Sequence, residues 1–266
     1  MNLKSRIYQT NKEMFSLSID LRDLAKMFID KKVSINSPKE TIACYMLAKA
    51  YKTHGVILRL AKSGYSEDAD MLARTLFDSA LIMSACVNDK TDETVMKYIK
   101  FDDSMRTRMF NKLKDNDKFK EYFLEREKNP KKDDDKIEEI EQRTQEWITK
   151  YGKDFRRKWH SGQTTGELAE SVKLKSYFDT AYDLQSQLVH SLPRVINQYL
   201  NEVDDQIRMD VEPKLKGVDL SLVSSFNMLF SIVESFNNLY SLVSDEKFKV
   251  LANRLVKIAK LDVEIV

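Results

Sequence analysis

The chain has 266 residues, of which 42% are hydrophobic and 32% charged, a globular composition with room for a sizeable core. Only 6 glycines and 4 prolines are present, too few turn residues for a chain of many strands, which weighs against sandwiches, barrels and Rossmann folds. The 44 basic and 42 acidic side chains leave a net charge of +2, so no global excess demands a nucleic-acid partner.

The apolar period is helical almost throughout. Met14, Leu17, Leu21, Leu24 and Phe28 step by three and four and predict a first long helix with one buried face. Ser37-Pro38-Lys39-Glu40 is a helix start, with Ser as N-cap, Pro at N1 and Glu at N3. That helix runs to about Ser63, where Gly64 stops it as a C-cap. Ser66, Glu67 and Asp68 start the next helix, which Asn88 and Asp89 break. Thr91-Asp92-Glu93 starts another. From about 111 to 136 the chain is dense in charge and holds Pro130, which reads as a solvated helical-hairpin insertion. Ile137, Ile140, Trp147 and Ile148 resume the helical spacing.

Gly152 and the stretch Ser161 to Gly166 punctuate the chain, and a short helix follows around Glu167 to Val172. A long helix is predicted from Lys175 to Val203, kinked or broken near Val189 to Ser191 because Pro193 removes a donor and clashes with the preceding turn. Two last helices cover about Val218 to Val243 and Asp245 to Lys260. No strand pattern stands out. The expected fold is all-α: a single domain over 1–266, a bundle of about eight helices with long antiparallel hairpins.

No apolar run followed by a small-residue cleavage site opens the chain, and serines, asparagines and Glu234 interrupt its most apolar stretch. A cytoplasmic protein without a membrane span is expected. Cys44 and Cys86, both in apolar helical contexts, read as two buried thiols. No metal motif, phosphate-cradling glycine loop or covalent-nucleophile motif occurs, so no metal or cofactor is expected.

Three histidines are available for acid–base work. His54, beside Gly55 on an apolar helix, reads as structural or surface, and His160 as a helix-end or solvated residue. Tyr182, Ser186 and His190 are spaced i, i+4, i+8 and share a helix face. They form either a satisfied polar seam or an acid–base or phosphate-contacting site. Arg74 and Asp78 are also i, i+4, among Leu72, Leu76, Phe77 and Leu81. A guanidinium so near the core needs a partner. The pair is either an intrahelical bridge, or Arg74 faces the His190 stripe, where guanidinium and imidazole together would stabilise a phosphoryl group. The run Lys153, Arg156, Arg157, Lys158 and Trp159 is either a set of helix-end dipole complements or a local nucleic-acid footprint.

Two stretches together carry a family resemblance: LARTLFDSALIM (Leu72 to Met83), and Lys158 to Arg194 with its WHSG turn, LA pair, two tyrosines, serine and histidine. They resemble the bacterial domain-of-unknown-function family numbered 5677. The matching positions are Arg74, Asp78, Trp159, Gly162, Leu168, Ala169, Tyr177, Tyr182, Ser186 and His190, with Asp78 standing where the family pattern has Glu. The resemblance implies a place in bacterial and phage-defence or abortive-infection neighbourhoods. A looser similarity to HEPN-type helical ribonucleases would draw the Arg (Arg74) and the His (His190) from different helices.

Two functions are therefore in view. One is a helical effector acting on RNA or nucleotides through Arg74 and His190, with Asp78, Tyr182 and Ser186 orienting them. The other is a non-enzymatic interaction or regulatory module, in which the same residues form a buried network and an exposed apolar patch meets a protein partner. A homodimer is the default assembly.

Overall fold

The computed structural model describes residues 1–113, 116, 118, 137–203 and 206–259. Helix dominates, as the apolar period requires. Eleven α-helices occur among the described residues rather than about eight, and a small two-stranded sheet joins them. The charged insertion at 111–136 lies largely outside the described residues. The chain folds as two compact units, residues 1–90 with 169–266, and residues 91–168.

In the first unit, α1 (Leu3–Thr10) and α2 (Lys12–Asp30) precede α3 (Pro38–Ser63) and α4 (Ser66–Asn88). Near the end of the chain come α10 (Val218–Tyr240) and α11 (Asp245–Ala259). Helices α3, α4 and α10 pack on one another and hold the core. Ile57, Leu76, Phe77, Phe226 and Leu229 are sealed there, and α2 adds Phe28, which stacks on Phe236 at 5.9 Å.

The capping signals act as read. Ser37 Oγ accepts from the Glu40 N–H at 3.2 Å, and the Glu40 carboxylate accepts from the Ser37 N–H at 2.9 Å. Gly64 closes α3 at φ +88°. Its carbonyl accepts from the Lys214 N–H at 2.9 Å, so the turn also anchors the segment leading into α10. A Cβ at Gly64 would lie 2.9 Å from Pro213 Cβ and 3.0 Å from the Lys214 backbone. Gly64→Ala is therefore expected to lower stability by about 2 kcal/mol, from the left-handed backbone and the contact together. Urea unfolding of the variant checks this, and an unchanged midpoint would refute it.

The predicted helix from Lys175 to Val203 is replaced by several short pieces. They are α8 (Lys175–Tyr177), a π-helical turn (Phe178–Tyr182), α9 (Asp183–Val189) and a 3₁₀ turn (Pro193–Gln198). The break falls where Pro193 predicts it, and Ser191 adopts φ +50° there. The chain then becomes a hairpin, β1 (Leu200–Val203) and β2 (Gln206–Met209), antiparallel with Leu200 opposite Met209. Lys214 ties down its root: Nζ donates to the Gln198 carbonyl at 2.7 Å and pairs with Glu67 at 2.8 Å and Asp210 at 3.2 Å. Cys86 is buried, whereas Cys44 is only half-buried.

The second unit contains α5 (Glu93–Leu113), α6 (Ile137–Tyr151), a 3₁₀ turn (Lys153–Arg156) and the start of α7 (Thr165–Ser171). Helices α5 and α6 pack together. Arg143 donates to both oxygens of Asp103 at 3.2 Å, and Trp147 Nε1 donates to the same carboxylate at 3.1 Å. Phe155 is sealed against Phe101 and Tyr151. Among the described residues no helix is long and apolar enough to cross a membrane.

Candidate functional site

Three polar residues of α4 share one face: Asp70, Arg74 and Asp78, at i, i+4 and i+8. Buried Ala73 and Phe77 flank it and keep Asp70 and Arg74 inward, while Asp78 at the outer end is half-buried. Opposite it lies the π-helical turn. A π turn takes more residues than an α turn, so residues five apart fall on one side. Tyr177 and Tyr182 therefore both reach Phe77, with ring centroids at 5.4 and 4.9 Å. In an unbroken α-helix these two tyrosines would diverge.

Arg74 is held from several directions. Its guanidinium carbon lies 3.8 Å from the Tyr182 ring centroid, and Nη2 donates to the Tyr182 hydroxyl at 2.6 Å. Asp78 Oδ1 sits 2.5 Å from Nη1 but off the N–H direction, so the contact is an ion pair without hydrogen-bond geometry. The Arg74 side chain is 15% exposed and that of Asp78 46%.

Behind this pair runs a buried chain of hydrogen bonds. The Tyr177 hydroxyl donates to Gln185 Oε1 at 2.7 Å, and Gln185 Nε2 donates to Asp70 Oδ1 at 3.3 Å. Burial pushes the Asp70 carboxyl up to about 7, although hydrogen bonds from Gln185 and Ser221 act against it. Burial likewise pushes Tyr177 up to about 12. The buried end of the network thus holds its proton well above the ordinary carboxylate range, while the outer end is an ion pair. Asp70 and Gln185 are absent from the sequence-predicted set. Asp70 could have been found as the acid one turn before Arg74 on the same apolar-flanked face.

The stretch that carries this geometry coincides with a family match. The DUF5677 family, described as a family of unknown function, matches residues 40–207, more than half of the chain. The chain belongs to the DUF5677 family. Neither a curated protein nor a solved structure gives a significant match. Membership agrees with the first of the two resemblances and says nothing of the HEPN one.

In this DUF5677 protein, Arg74, Asp78 and Tyr182 come together, but the rest of the predicted stripe does not follow. Ser186 is half-buried, one turn beyond Tyr182. His190 caps the end of α9, donating its backbone N–H to the Ser186 carbonyl at 3.0 Å, and its side chain is exposed. Among the described residues no hydrogen bond joins His190 to Arg74, Asp78 or Tyr182. The third histidine, His160, has Nδ1 3.1 Å from the Gln163 carbonyl.

The basic run of the second unit is dispersed. Lys153 and Arg157 are exposed. Lys158 Nζ donates to the Gln163 carbonyl at 3.2 Å. Trp159 is half-buried edge-on against Tyr98 at 5.5 Å, so its ring is engaged in packing. Arg156 instead lines a cavity of about 280 Å³ between α5 and α6, with Ser104, Thr107, Arg108, Glu141 and Thr144. The hydroxyls of Thr107 and Thr144 meet there at 2.9 Å, whereas Ser104 Oγ is sealed and has no partner among the described residues. Nowhere among the described residues do three or more His, Cys, Asp or Glu side chains gather as a cation site.

Proposed function

We propose that this protein is a non-enzymatic helical interaction or regulatory module. In this reading Arg74, Asp78 and Tyr182, backed by Asp70, Gln185 and Tyr177, form a structural network. The network fixes the π-helical turn and so sets the course of the chain toward the β hairpin. One observation carries the reading: the Arg74 guanidinium is already engaged by Tyr182 and Asp78. Nε and Nη1 have no hydrogen bond among the described residues, but both are buried, so a phosphate would have to open the packing around Arg74 and displace Asp78 to reach them. An exposed apolar run downstream gives further support, with Val189, Leu192, Ile196, Val203, Ile207, Met209 and Val211 all open to solvent.

The rival is an effector that cleaves RNA through Arg74 and His190. Wild type and His190→Ala, each checked for folding by circular dichroism, are to be incubated with labelled single-stranded and hairpin RNA, with and without Mg²⁺. The module reading expects no cleavage by either protein. It also expects Arg74→Met to lower stability by about 2 kcal/mol, the range for losing a charged hydrogen bond near the core. RNA cleavage by the wild type that disappears in a folded His190→Ala variant would overturn it.

A second reading is favoured by the cavity between α5 and α6. Two arginines against the single acid Glu141, with the Thr107 and Thr144 hydroxyls beside them, suit a phosphate group. Nucleotide or RNA phosphate would then bind at Arg108 and Arg156 rather than at Arg74. Calorimetric titration with adenosine monophosphate tests this. Saturable heat in the wild type, weakened at least tenfold in Arg108→Ala, is expected, and equal heats in both would refute it.

A further inference from the structure

Strand β2 has an open edge. Among the described residues the sheet has two strands, so each has one neighbour. The register shows which backbone groups of β2 are in use. The Asp210 N–H donates to the Tyr199 carbonyl at 2.8 Å, which makes Tyr199 and Asp210 a hydrogen-bonded pair. Alternation along an antiparallel ladder makes Asn201–Arg208 and Val203–Gln206 the next two. The peptide groups of Gln206, Arg208 and Asp210 therefore point at β1. Those of Ile207 and Met209 point away from it, and Val211, the second residue past the end of β2, is next in the same alternation.

The side chains of those same three residues lie on one face, by the period of two. They are 74%, 75% and 75% exposed. A two-stranded hairpin bare on both faces is marginal alone in water. The edge also lacks the Pro and Lys residues that guard solvent-facing strands.

One register satisfies all of these features at once. Suppose β2 pairs antiparallel with β2 of a second copy, about a two-fold axis at Met209. Met209 then faces Met209, Ile207 faces Val211, and Arg208 faces Asp210, with the last two contacts made twice. The residues with outward peptide groups become the hydrogen-bonded pairs. The six exposed apolar side chains fall on one face of the new sheet, and two opposite-charge pairs fall on the other. Centring on Arg208 instead would set Arg208 against itself, and centring on Asp210 would set Asp210 against itself, both unfavourable. Asp210 already accepts from Asn201 at 3.3 Å, Lys214 at 3.2 Å and the Glu212 N–H, and the fourth lone pair of the carboxylate is left for a donor from the second copy.

We propose that β2 is a homodimer interface, through which two copies join edge to edge about Met209 into a continuous four-stranded sheet. The contact is isologous, as a two-fold dimer requires. The proposal rests on the interaction-module reading and names its partner as a second copy of this chain.

Sedimentation equilibrium on the full chain tests it, with circular dichroism as the check on folding. The wild type is expected to dimerise. Met209→Pro removes an outward N–H and leaves the inner ladder intact, so it is expected to be monomeric. Arg208→Asp and Asp210→Arg, each alone, set like charges opposite one another twice and are expected to weaken the dimer at least tenfold. Mixed in equal amounts, they place an acidic strand against a basic one and are expected to restore dimerisation. A wild type that stays monomeric at every concentration reached would overturn the interface, as would a dimer of unchanged strength in all three variants. The module reading fails on RNA cleavage instead, so the two failures are separable.

Discussion

Asp70→Asn is expected to stabilise the protein at pH 8 and to change little at pH 4. Asp70 is buried, and its carboxyl titrates at about 7 in the fold against an ordinary 3.8. Between those values the unfolded chain has released a proton that the native state still holds. Stability is therefore fully present below about 3.8 and is lost as pH rises toward 7. A tenfold difference in proton affinity between folded and unfolded chain is worth about 1.4 kcal/mol, so the loss is on the order of 4 kcal/mol at alkaline pH. Asparagine keeps the size and neutrality of the protonated acid and can still accept from Gln185 Nε2. It has no proton to lose, so the variant should be insensitive over the window where the wild type weakens. Urea midpoints of both proteins at pH 4 and pH 8 measure this. An equal difference at both pH values would show that Asp70 titrates normally in the fold.

The helices most legible in the sequence are those whose signals are local. Ser37 to Glu40 declares its cap because all the partners lie within four residues, and Gly64 declares its stop because the αL geometry is its own. The region from Lys175 to Met209 is harder to read for two physical reasons. The π-helical turn adds no residue type that marks it, yet it changes which side chains share a face. A strict 3.6-residue period groups Tyr182 with Ser186 and His190, whereas the fold groups Tyr182 with Tyr177 on Phe77. The hairpin does leave a trace, since Ile207, Met209 and Val211 alternate. That alternation faces solvent, so no buried stripe accompanies it. Four of the six site residues are therefore visible in the sequence: Arg74 and Asp78 by spacing, Tyr182 by its place on a polar helix face, and Tyr177 by the family resemblance. Asp70 and Gln185 enter through packing between α4 and α9, which spacing on one helix cannot show.

Replacing His54 with Leu is expected to remove an acid sensitivity that the wild type carries. His54 lies fully buried on α3, and neither ring nitrogen has a hydrogen-bond partner among the described residues. Burial, with the Arg22 guanidinium adding repulsion, brings the imidazole down to about 3. Arg22 cannot easily move away. It donates to the Tyr51 carbonyl at 2.6 Å, stacks on the Tyr51 ring at 3.9 Å and fills the space that a Cβ on Gly55 would occupy, with Nη1 3.0 Å from that position. As pH falls below 6.5, the unfolded chain gains a proton that the native state refuses until about 3. The stability His54 contributes is thus present above 6.5 and lost on the way down, on the order of 4–5 kcal/mol by pH 3. Leu is similar in bulk, cannot charge and leaves no ring nitrogen unsatisfied, which is itself worth about 1–3 kcal/mol. The variant should be more stable at pH 8, with the gap widening as the pH drops. Asp70 works in the opposite sense over part of this range, so the slope is best read in the Asp70→Asn background. There the wild-type His54 curve should fall from pH 7 to 4 while the His54→Leu curve falls less steeply. Parallel curves would mean that the imidazole is protonated in the fold, with Arg22 displaced or a carboxylate drawn in beside it.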